Sequence, residues 1–169
     1  MSLMPPYSTS AISDGAALCV AGFRRAVMAR RGEVPFILSQ TLGADARPAF
    51  EVLTDMALLL GVHARRRLKL FRPCCCHLST DELAVAGMVA AAGQGRYEEA
   101  LARLDWLAGS SAHRPALRAA VTFADILACH GHEIRLPATQ PRTPRHPAPL
   151  RLCSEEEALP LRSGQAAHR

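Results

Sequence analysis

Between Asp14 and Gly131, apolar residues return at three- and four-residue steps in five successive segments, and glycine or proline closes each one. That spacing places the apolar side chains on one face of an α-helix, and the closing residues stop the helix. The chain is rich in alanine and leucine, and only 5% of its residues are aromatic. Alanine and leucine sit at the top of the helix scale and allow close packing through small side chains. The expectation is an all-α fold, a small bundle of about five helices in mostly up-down order.

The first helix is expected from about Asp14 to Arg31, with Ser13 as N-cap and Gly32 after its last turn. Leu18, Phe23, Val27 and Met28 form its apolar stripe, Cys19 joins the core, and Arg24, Arg25, Arg30 and Arg31 stay in water. In residues 33–46, Pro35 and Gly43 bracket "FILSQTL", a helical turn or an extended piece. A short helix is favoured, because no second strand is at hand to pair with it.

A long helix is expected from about Pro48 to Leu70, capped by Asp45, with Phe50, Leu53, Met56, Ala57, Leu60 and Ala64 facing the core. Its end carries Arg65, Arg66, Arg67, Lys69 and Arg72, cations that suit the negative end of the helix dipole, before Pro73 stops it. Ser79 and Glu82 have the spacing of a capping box and open the third helix, which ends near Ala92. The fourth covers "RYEEALARLDWLAG", with Leu101, Leu104 and Leu107 inward and Trp106 partly so. The fifth runs from about Pro115 to Cys129 and closes at Gly131. Past Leu136, "PATQPRTPRHPAPLRL" cannot sustain a helix. The domain plan is therefore a disordered N-terminus at 1–12, a helical bundle at 13–136 and a disordered Pro/Arg-rich tail at 137–169.

The formal charge is +5. It is concentrated in residues 1–73, while residues 74–133 are net acidic. A basic half suits an acidic or nucleic-acid partner, or simply solvated helix faces. No signal-like start and no membrane-length apolar run is present, so a cytoplasmic location is expected, with the six cysteines as thiols. No Ser-His-Asp order, paired carboxylates, phosphate loop or H-E-x-x-H motif occurs.

"PCCCH" is the stretch richest in chemistry. Cys74, Cys76 and His77 offer C-x-C and C-x2-H spacings, and "CHGH" offers Cys129 and His132. Together these residues make a Cys2His2-type set for zinc. Short loops between up-down helices would hold the two groups at opposite ends, about 22 Å apart over fifteen helical residues. A thiol at a helix start beside several arginines is also a redox candidate, and small core cysteines are the plain alternative. Arg65, Arg66, Arg67, Lys69 and Arg72 form a candidate phosphate-binding patch, helped by Arg142 and Arg145 in the tail.

The hairpin "LAVAGMVAAAGQGRYEEALARLDWL" resembles one tetratricopeptide repeat. Gly95 and Tyr97 lie near its bend, Ala100 sits at the helix contact, and Ala86 and Gly87 allow close approach. The proline of that repeat is missing after Leu107, and no second copy is present. A solenoid of such units needs about three, so the resemblance implies a helical hairpin and no peptide-binding array. The order of a basic segment, a cysteine turn and Ala/Leu-rich helices resembles short helical bacterial proteins of unknown function, which bring no catalytic residue to carry over. The functional expectation is a non-enzymatic protein-interaction or regulatory module without a cofactor, working on a protein partner, with a homodimer as one arrangement. The alternatives are a thiol- or metal-dependent (zinc or iron) sensor at Cys74–His77, and a basic-patch nucleic-acid binder.

Overall fold

The computed structural model describes residues 7–28 and 33–136. The fold is all-α. Five long helices carry it: α1 (Asp14–Met28), α3 (Ala46–His63), α4 (Thr80–Gly93), α5 (Tyr97–Leu107) and α6 (His113–Cys129). A sixth, α2 (Phe36–Leu42), is the short helix favoured for "FILSQTL". The tail at 137–169, with Arg142 and Arg145, and the predicted end of the first helix at Arg30, Arg31 and Gly32 lie outside the described residues.

Helix α4 is apolar on nearly every side, and the bundle closes around it. Val85, Ala86, Met88, Val89 and Ala91 are all buried, and α1, α5 and α6 pack against the helix. A helix without a polar face belongs in the interior. Gly87 faces α5, and the Arg103 guanidinium occupies the space beside it, 2.5 Å from where a Cβ would stand. The chain then reverses at Gly95, whose φ of +71° is left-handed backbone that side chains disfavour. On the other side of the bundle α3 packs against α1 and α6, burying Leu53, Met56 and Leu60.

Four expectations are corrected here. The helix predicted to reach Leu70 ends at His63, and Ala64 instead forms an antiparallel bridge with Ala108. Val27 and Met28, placed on the core stripe of α1, are about half exposed. Arg24, placed in water, is buried in the interior. Asp45 starts α3 without a side-chain cap; its carboxylate meets His130 at 2.9 Å.

The expected edge of the folded domain was residue 13. Structure begins earlier, since β1 (Tyr7–Ser8) pairs antiparallel with β2 (His77–Leu78) and Thr9–Ala11 forms a 3-10 turn. Among the described residues no helix is long and apolar enough to cross a membrane.

Candidate interaction groove

The segment between α3 and α4 is not helical: it bends at Arg65 and Arg66, runs irregularly through 67–72 and turns at Pro73 and Cys74, and two neighbouring carboxylates at the start of α4 hold it in place. The capping box is present: the Ser79 Oγ accepts from the Glu82 amide, and the Ser79 amide donates to Glu82 Oε2. Glu82 also accepts from the Phe71 amide at 2.8 Å and from Arg24, whose Nε and Nη2 donate at 2.7 and 2.9 Å. Arg24 uses its remaining donors on the carbonyls of Arg72, Cys75 and His77. One guanidinium thus satisfies its full set of five donors inside the protein, as a buried charge must.

Asp81 does the same for the preceding residues. It accepts both Nη groups of Arg66 at 2.8 and 2.5 Å and the Lys69 amide at 2.7 Å. The Trp106 indole N–H donates to it at 3.4 Å, and the Arg66 guanidinium lies 4.9 Å over that ring. Burial pushes the Asp81 carboxyl upward, but the Arg66 bond and charge with the Lys69 amide outweigh it, and the carboxyl lies below its usual range. The Asp81 bond raises Arg66 in turn. Ser79 completes the set by donating its hydroxyl to the Lys69 carbonyl.

Held this way, residues 65–70 alternate in burial. Arg65, Arg67 and Lys69 are exposed; Arg66, Leu68 and Leu70 are half-buried. This is strand periodicity. Leu68 and Leu70 form one wall of a groove of about 460 Å³, together with Arg66 and Arg67. The other walls are Phe23 and Val27 of α1 and Ala57 and Gly61 of α3. The lining holds two cations and, among the described residues, no carboxylate.

Gly61 is unlike its counterparts. A Cβ at Gly15 would meet the Glu133 carbonyl oxygen, and one at Gly93 the Ala124 Cβ, each at 2.6 Å, so packing requires those glycines. A Cβ at Gly61 would meet nothing within 4 Å, and its φ is not positive. Glycine inside a helix is destabilising, and here its missing side chain leaves room only in the groove.

The cysteine turn and the "CHGH" corner contribute no residue to the groove lining. Pro73 and Cys74 form the turn closed by the Cys75 amide on the Arg72 carbonyl. Cys74 and Cys76 are exposed thiols, Cys75 is half-buried, and His77 is exposed at the start of β2. Cys76 accepts from the Thr9 amide through its carbonyl, while four residues on Ser13 donates its hydroxyl to the Glu133 carbonyl, beside His132. The N-terminal segment therefore runs between the cysteine turn and the "CHGH" corner. Cys129 is exposed, and among the described residues no three of His, Cys, Asp and Glu are grouped as a metal site. Of the Arg65–Arg72 cluster counted as thiol neighbours, Arg66 is committed to Asp81, and Arg24, which donates to the Cys75 carbonyl, is committed to Glu82.

The basic patch is divided as well. Arg65 stands 3.7 Å from Asp105, Arg66 is tied to Asp81, and the Lys69 ammonium lies 5.5 Å over the Phe71 ring. Arg67 and Arg72 remain without an ion pair among the described residues. Sequence reasoning missed Arg24, Asp81 and Gly61. One signal was there to be used, because Arg67-Leu68-Lys69-Leu70 alternates with period two inside the predicted helix. No protein-family model, curated protein or solved structure matches this chain.

Proposed function

We propose that the chain is a non-enzymatic interaction module that receives a segment of a partner protein in the groove between α1, α3 and residues 66–70. The observation that carries this reading is an open apolar groove whose helical glycine, Gly61, has no packing duty. Val27 beside it and Leu58 and Val62 on α3 leave further apolar surface exposed. Exposed apolar surface at an open groove marks an interaction site. Buried ion pairs fix the groove wall in advance, which lowers the ordering cost of binding. In this reading the protein works in the cytoplasm, with Cys74, Cys76 and Cys129 as free thiols.

Site-specific photo-crosslinking tests it. A benzophenone side chain replaces Val27 at the groove of the full-length chain; as a control, the same group replaces Arg118 on α6 instead. The expected result in native cells is one discrete protein adduct from position 27, absent from position 118 and abolished by Gly61→Trp. Equal adducts from both positions, or none, overturn the reading.

A further inference from the structure

Along residues 67–71 the backbone hydrogen bonds fall on alternate residues. The Lys69 amide goes to Asp81, the Lys69 carbonyl accepts from Ser79, and the Phe71 amide goes to Glu82. In an extended chain the backbone groups of alternate residues point the same way, so those of Leu68 and Leu70 point opposite to these. No hydrogen bond among the described residues uses the amide or carbonyl of Leu68 or Leu70. Such a row of unpaired groups is a template for an added strand.

Two further features say what kind of strand fits. The apolar groove beside Leu68 and Leu70 has room for alternate side chains, with Gly61 adding space. The cations there are Arg67, exposed and without an ion pair among the described residues, and Arg66, whose charge Asp81 already balances; no described carboxylate lines the groove. We infer that the open backbone edge at Leu68 and Leu70 takes up an extended segment of a partner protein in which apolar residues alternate with Asp or Glu. Main-chain hydrogen bonds hold the segment, the groove selects its apolar side chains, and Arg67 selects its charge. The inference rests on the interaction reading above and specifies its partner.

A displayed library of random 12-residue peptides, selected on the full-length chain, provides the test. The enriched peptides are expected to carry apolar residues at every second position with Asp or Glu nearby. The best of them is then synthesised with single N-methyl groups on successive amides. Methylation of the amides facing the edge is expected to weaken binding at least tenfold, and methylation of the alternate amides to leave it unchanged. Gly61→Trp abolishes binding, while Gly61→Ala, which meets no atom of the fold, preserves the folded protein as its control. Arg67→Glu lowers affinity for the acidic peptide and raises it for a Lys-substituted copy.

Enrichment of peptides with helical i, i+4 spacing, or binding indifferent to every N-methyl group, overturns strand addition while leaving the interaction module standing. The same holds if the chain itself, as a second copy, displaces the peptide. No enriched peptide combined with no adduct at position 27 defeats both.

Discussion

Arg24 and Glu82, 58 residues apart in sequence, meet as a bidentate ion pair that is buried on both sides. The pair joins α1 to the start of α4, and through the Arg72, Cys75 and His77 carbonyls it also sets the path of the cysteine turn. A local capping motif has thereby become the anchor for a long-range connection.

Removal of either partner strands the other charge in the interior. Arg24→Met and Glu82→Gln are each expected to lower stability by about 3–5 kcal/mol, read as a shifted midpoint in urea unfolding. The double variant loses less than the two losses added together, because no lone charge remains. It does not regain full stability, since the Arg72, Cys75 and His77 carbonyls lose their donor and the Ser79 and Phe71 amides lose a charged acceptor.

Acid weakens the protein through Asp81. Its carboxyl lies below the ordinary value of 3.8 in the folded chain and returns to about that value on unfolding. The stability it contributes is therefore present above pH ~4 and is lost as the pH falls through the lower folded value. Unfolding free energies measured from pH 7 to pH 2 are expected to fall less steeply at the acid end for Asp81→Asn than for the unaltered chain.

Thiol reactivity should divide by burial. Cys19 is enclosed, and burial pushes its thiol up to about 12. A brief iodoacetamide pulse at pH 8, followed by peptide mass spectrometry, is expected to label Cys74, Cys76 and Cys129 and to spare Cys19. Cys19 becomes reactive only when denaturant is added.

Glycine replacements separate packing from open space. Gly61→Ala is expected to raise stability by up to about 1 kcal/mol, since it removes backbone entropy from the unfolded chain and meets no neighbour. Gly15→Ala is expected to do the reverse, because its Cβ would stand 2.6 Å from the Glu133 carbonyl oxygen, an atom that side-chain rotation cannot move. Thermal unfolding of the two variants, side by side, gives the signs.

Helices governed by local forces were legible in the order of residues alone. Apolar spacing located α1, α4, α5 and α6, Ser79 and Glu82 marked the capping box, and Gly95 marked the reversal between α4 and α5. These features need only neighbours within a few residues. The stretch after His63 was different, because its conformation depends on groups brought in by folding. Arg65-Arg66-Arg67 looks like a cationic helix end, but Asp81 and Glu82 draw the Lys69 and Phe71 amides out of helical geometry. Long-range packing also settled the fate of Arg24. A charged residue enters the interior only where enough partners converge, and those partners come from residues 72–82. The groove followed from that choice: its wall exists because two carboxylates bind the Lys69 and Phe71 amides and hold Leu68 and Leu70 against it.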